Sequence, residues 1–147
     1  MFYLCSYNYN AVNNEAYKKK IVINTIKASA GFPSPAENYI EERLDLNKYL
    51  IKNIESTFFI RVSGDSMINV GIYNNDILVV DKAISPINNS IVVVSLYGEL
   101  LIKKFSKKKS GDCYLESENF DYPKIKLNSD MDARIWGVVT HTIHTLI

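Results

Sequence analysis

After Asn53 the chain becomes a succession of short β-branched and aromatic runs broken by turn residues. This pattern limits the fold more than any other feature. Thr57–Val62 is one run, and Ile77–Val80 is a second, bounded by Asn74-Asn75-Asp76 and Asp81. Ile91–Leu96 follows the turn residues Asn88-Asn89-Ser90, and Tyr97-Gly98 predicts a tight hairpin into Glu99–Phe105. Cys113–Ser117 and Ile135–Ile143 complete the set. Short strands at such close spacing predict a mostly β body, a compact and partly closed barrel-like domain.

The first 30 residues are of another kind. Lys18, Lys19, Lys20 and Lys27 stand against a single Glu15, and Ile21, Val22, Ile23 and Ile26 make an apolar patch too small to fold alone. This composition predicts an N-terminal arm, residues 1–30, that docks on a body of residues 31–147. Thirty residues are too few for the packed helices of a helix-turn-helix. Gly31-Phe32-Pro33-Ser34-Pro35 is punctuation, because neither proline can join a ladder. A short helix is expected over Ala36–Leu44 and a second over Leu46–Ile51, with Asp45 as its cap.

Composition narrows the functional classes. Lys and Arg number 17 and Asp and Glu 16, so no general basic field exists to hold nucleic acid by its phosphates. Direct sequence-specific DNA binding is therefore not expected. No segment reaches the ~18–20 consecutive apolar residues that span a bilayer, and Met1–Asn10 lacks the pattern of a signal peptide. Cys5 and Cys113 are too few and too far apart for a disulfide framework, and no Cys/His set has zinc spacing. These features fit a cytoplasmic protein without a membrane span, metal or cofactor.

Two residues have the chemistry of a nucleophile and its base. Ser66 lies in Ser63-Gly64-Asp65-Ser66-Met67, a glycine-bearing turn after a strand, where a hydroxyl is exposed and nearby amides converge. Lys103 lies in Leu100-Leu101-Ile102-Lys103-Lys104-Phe105, an apolar strand in which an ammonium loses its hydration. The adjacent Lys104 cation is expected to push its pKa the same way. A neutral amine so produced can take a serine proton. His141 and His144 are the other candidate bases, but three residues apart on a strand they face opposite sides, which suits neither a shared metal nor a dyad. From spacing alone, Ser66 reads as an ordinary turn serine and Lys103 as a snorkelling surface lysine.

A resemblance outweighs those ordinary readings. Gly31-Phe32-Pro33-Ser34-Pro35-Ala36, Ser63-Gly64-Asp65-Ser66-Met67 and Gly98-Glu99-Leu100-Leu101-Ile102-Lys103-Lys104 are similar, in order and spacing, to the UmuD branch of the self-cleaving Ser–Lys peptidases. The wider family includes the LexA repressor and phage repressors. The resemblance runs from about Ala30 to Ile143. It implies that Ser66 is the nucleophile, Lys103 the general base and Ala30–Gly31 the bond that is cut, with the Met67 amide as a weaker oxyanion assignment. It also implies stimulation by a RecA filament on single-stranded DNA in the SOS response. The product would be a homodimer that serves a UmuC-type Y-family translesion polymerase. The apolar stretch Ile135-Trp136-Gly137-Val138-Val139 would be either a core strand or the pairing edge of that dimer, and the family favours the interface.

The chain departs from the family at three points, the first being an arm longer than is usual for UmuD. Ala30 stands where UmuD often has Cys, and Asn89-Ser90 stands where Gly-Asp is usual, a change that Asn accommodates by tolerating left-handed geometry. Three rival readings share parts of the pattern. Signal peptidases have a Ser–Met motif and a lysine base but need a membrane anchor. A silent β-domain would only bind a partner. A small phage-type repressor or antirepressor would have to contact DNA through Lys18–Lys20.

Overall fold

The computed structural model describes Ile23–Ile26 and residues 40–147. Its contacts divide the chain into two units, one ending at Asp45 and the other spanning Leu46–Ile147. In the first, β1 (Ile23–Ile26) pairs antiparallel with β2 (Ile40–Leu44), with Ile23 opposite Leu44 and Ile26 opposite Ile40. The helix expected to end at Leu44 is therefore replaced, over Ile40–Leu44, by a strand. The isoleucine-bearing segment β1 supplies a ladder for it, and this long-range pairing overrides the helical propensity of Glu41, Glu42, Arg43 and Leu44.

The second unit opens with α1 (Leu46–Leu50), which starts immediately after Asp45. Seven strands follow: β3 (Thr57–Arg61), β4 (Ile77–Asp81), β5 (Ile91–Leu96), β6 (Glu99–Lys107), β7 (Cys113–Glu116), β8 (Ile125–Leu127) and β9 (Ala133–Ile143). The mostly β expectation holds. The seven form one antiparallel sheet in the order β3-β4-β9-β5-β6-β7-β8, with β3 and β8 at its two edges, so the sheet is not closed. Tyr97 and Gly98, both at positive φ, make the predicted tight turn from β5 to β6, and Asn89 takes the left-handed geometry expected of it at φ 71°.

Strands β4 and β5 read as unbroken apolar runs because both faces of the sheet are covered. On one face Leu78, Val80 and Val93 pack with Val62, Met67 and Ile72, flanked by Phe58 and Trp136. On the other, Val92, Val94, Leu115 and Val138 pack with Leu101 and Phe105.

The stretch Ile135–Val139 lies in β9, which is hydrogen-bonded on one side to β4 and on the other to β5. It is a core strand and not a pairing edge. Its length is accommodated by two register shifts, one against each neighbour, that bend it through the middle of the sheet. Gly137 lies where β9 crosses β4: a Cβ there would meet the Asp81 carbonyl oxygen at 2.8 Å and Val80 Cγ1 at 2.9 Å.

Among the described residues, no helix is long and apolar enough to cross a membrane.

Candidate active site

The serine turn is an excursion from the β3–β4 hairpin. The hairpin register continues to Val62 and Asp76, where the Val62 amide donates to the Asp76 carbonyl at 2.8 Å, and the chain then leaves the sheet. Gly64 takes φ 98°, a conformation that costs a side-chain-bearing residue strain, and its amide donates to Asn74 Oδ1 at 3.1 Å. Met67 is 2% exposed and sits in the core cluster. Burial of a side chain of that size is worth about 1.5–3 kcal/mol, enough to fix the turn in place. Ser66, immediately before this anchor, is half-buried. A 3-10 turn, Ile68–Val70, follows. Its hydrogen bonds use the amides of Ile68, Val70, Gly71 and Ile72 and leave out that of Met67.

Lys103 lies in the middle of β6, opposite Val92 of β5. Its neighbours two residues away on the strand, Leu101 and Phe105, belong to the apolar cluster on that face. The lysine is 7% exposed, and burial holds its amine below the usual lysine range. The expected push from Lys104 is not among the causes. Lys104 turns to Glu118 and Glu116, which raise its own pKa and answer its charge locally. The Lys103 amine hydrogen-bonds to Ser117 Oγ at 2.6 Å and sits 5.3 Å from the centre of the Tyr122 ring. Among the described residues, no hydrogen bond joins it to Ser66.

One segment, Ser117–Tyr122, connects the turn to the strand. The Glu118 carbonyl accepts from the Asn69 amide at 2.9 Å, Asn119 Nδ2 donates to the Asp65 carbonyl at 3.1 Å, and the Tyr122 hydroxyl donates to Asp65 Oδ1 at 2.6 Å. The residue before Ser66 is thus held at both backbone and side chain by the segment that carries the Lys103 partners. Sequence reasoning missed Asp65, Ser117, Asn119 and Tyr122 as site residues. Asp65 stands beside Ser66 in the motif with no role of its own there, and only the fold brings Ser117, Asn119 and Tyr122 to the site.

The other expectations fall elsewhere. Ala30, Gly31, Cys5 and Lys18–Lys20 lie outside the described residues. Cys113, at the start of β7, is a free thiol. His141 packs its ring 5.5 Å from that of Tyr49. His144 places Nδ1 2.6 Å from Oδ1 of the buried Asp76.

Comparison with known proteins agrees with the fold and the motifs. The model of the family described as Peptidase S24-like matches residues 13–140. The chain is 42% identical to the protein ImpA of Salmonella typhimurium over 118 residues, 80% of this chain and 79% of that one. It is 39% identical to SamA of Salmonella typhimurium strain LT2 over 91% of this chain and 92% of that one. Identity to MucA of Salmonella typhimurium is 37% over 80% of each. The chain belongs to the Peptidase S24-like family, in its UmuD-type branch. The matched residues take in both the turn that carries Ser66 and strand β6, which carries Lys103.

Proposed function

We propose that this chain is a self-cleaving serine peptidase of the SOS response in which Ser66 is the nucleophile and Lys103 the general base. The observation that carries the reading is the buried Lys103 amine, held below the ordinary lysine range by desolvation on a strand braced to the serine turn. A neutral amine is the form that can accept a proton.

The chemistry runs in two steps. Lys103 Nζ takes the Ser66 hydroxyl proton as Oγ attacks the Ala30 carbonyl carbon, and the Met67 amide is the donor assigned to the oxyanion. The proton passes to the Gly31 nitrogen as the Ala30–Gly31 bond breaks, leaving an ester on Ser66. Water then hydrolyses the ester, Lys103 again serving as base. Gly31 lets the backbone approach closely, and Ala30 asks for only a small pocket. The cut falls in the connection between β1 and β2, dividing an arm of residues 1–30 from a body of residues 31–147.

Nucleophile and substrate on one chain have a high effective concentration, so cleavage must be restrained. A charged Lys103, an unproductive position of the arm, or both supply that restraint, and a RecA filament on single-stranded DNA shifts the equilibrium toward the competent state. The body then acts as a homodimer serving a UmuC-type translesion polymerase. Incubating the purified chain at alkaline pH, and at neutral pH with RecA, single-stranded DNA and a nucleotide, tests the reading. Two fragments are expected in both arms. A chain that stays whole in both is a binding domain only.

A further inference from the structure

The hydrogen bond from Lys103 to Ser117 is the contact of the candidate base that the proposed chemistry leaves unassigned. Ser117 follows directly on β7, in whose ladder Lys104 faces Glu116, so the register sets Ser117 across from Lys103. Its Oγ is 2.6 Å from Lys103 Nζ and is the only hydrogen-bond partner of that amine among the described residues. The other neighbours differ in kind. Val92, opposite on β5, is apolar, and the Tyr122 ring attracts the amine only while it is a cation. The charged groups of the surrounding elements are engaged elsewhere. Lys104 is with Glu116 and Glu118, Lys124 with Glu116, and Asp65 with the Tyr122 hydroxyl.

We infer that Ser117 is the positioning residue of the base: its hydroxyl oxygen holds the Lys103 amine at one point while leaving the nitrogen lone pair free for the Ser66 proton. This rests on the reading of Ser66 and Lys103 as a dyad. A lysine is a point charge on a flexible four-carbon stem, so burial alone does not aim it. When the amine loses its proton, the attraction of the Tyr122 ring goes with it. The neutral amine retains two N–H groups and one lone pair, and one N–H still donates to Ser117. Ser117 is therefore the partner that keeps the reactive form in place. The position of Ser117 is itself fixed, because the next residue, Glu118, is tied through its carbonyl to Asn69 and through its carboxylate to Lys104.

Loss of this contact has a definite direction in titration. An acceptor bonds an ammonium more strongly than a neutral amine. Ser117 thus moderates the downward shift caused by burial, and its loss lowers the Lys103 pKa further.

The test follows self-cleavage of the full chain from neutral to alkaline pH for the wild type, Ser117→Ala, Ser117→Thr and Ser66→Ala, with melting curves as a check on folding. In Ser117→Ala the alkaline plateau should fall about 10- to 100-fold, the scale of a misplaced base, and the midpoint should move to lower pH. Ser117→Thr keeps the hydroxyl and should stay near wild type in both. A wild-type plateau and midpoint in Ser117→Ala, while the wild type cuts and Ser66→Ala does not, would overturn the role of Ser117 and leave the dyad standing. Equal loss in Ala and Thr variants with an unmoved midpoint marks a structural role and overturns it too. An intact wild type at every pH defeats the dyad and this inference together. A readout independent of cleavage is the NMR titration of the Lys103 ε-carbon in Ser66→Ala protein. Adding Ser117→Ala should lower the midpoint, and an unchanged midpoint contradicts the inference.

Discussion

The hydroxyl of Tyr122 donates a 2.6 Å hydrogen bond to the carboxylate of Asp65, the residue before the candidate nucleophile. The same tyrosine presents its ring to the Lys103 amine. One side chain therefore reaches both halves of the site. The Asp65 hydrogen bond and charge hold the Tyr122 phenol above its usual pKa, so the phenol keeps its proton to higher pH than a free tyrosine. Tyr122→Phe removes the brace and keeps the ring. Cleavage should slow several-fold with the fold intact, and Tyr122→Leu, which loses both contacts, should be slower still. Rates from fragment mass at a fixed alkaline pH check the order.

Cleavage should depend on pH through Lys103. Its amine titrates below the ordinary lysine value because it is buried, and the neutral fraction grows as pH rises through that lowered value. The rate should climb with pH and then level off. A flat profile from neutral to alkaline pH in folded protein would rule out lysine titration as the restraint.

The same burial has a stability consequence. The folded state sheds the Lys103 proton before the unfolded state does, so between the two pKa values the unfolded chain binds more protons and stability rises with pH. Below that window the desolvation cost is fully present. Lys103→Met should therefore raise the melting temperature near neutral pH, and its advantage should shrink as pH rises through the window. Melting curves at matched pH values measure it.

Asp81 gives its stability change in acid instead. Hydrogen bonds from Ser56 and Asn53 hold its carboxyl below the usual range despite burial, and the Ala83 amide adds to them. Its contribution is complete above the ordinary carboxylate pKa of about 4 and is lost as pH falls through the lowered folded value. Asp81→Asn should melt lower than wild type at neutral pH, and the gap should close in acid. A gap constant with pH contradicts the assignment.

At Gly137 the prediction is steric. A methyl group there meets the Asp81 carbonyl and Val80 inside the β4–β9 crossing. Gly137→Ala should cost about 1–3 kcal/mol, as overpacked cores do. Urea denaturation gives the number.

The strands that were legible in the sequence are those buried on both faces. Leu78–Val80 and Val92–Val94 are fully enclosed, so they spell continuous apolar runs, and Asn75, Asn89 and Gly98 take positive φ at the turns beside them. Strand β8 is only three residues long, Ile125–Leu127, and no run that short announces a strand. Strand β2 was hidden because Glu41, Glu42 and Arg43 favour a helix locally, and the pairing that decides it comes from β1. Ser66 and Lys103 were legible as a candidate nucleophile and base from their turn and strand, but only the family motifs set them above an ordinary turn serine and surface lysine. Asn119 and Tyr122 act on Asp65 across 54 and 57 residues of chain, a relation that no local pattern encodes.

The most direct measurement is the mass and N-terminal sequence of the products formed by wild-type and Ser66→Ala protein incubated side by side at alkaline pH. The wild type should yield two fragments, the larger beginning at Gly31 and ending at Ile147, while Ser66→Ala remains intact. A larger fragment beginning at another residue, or cutting by Ser66→Ala on its own, would contradict self-cleavage of Ala30–Gly31 by Ser66.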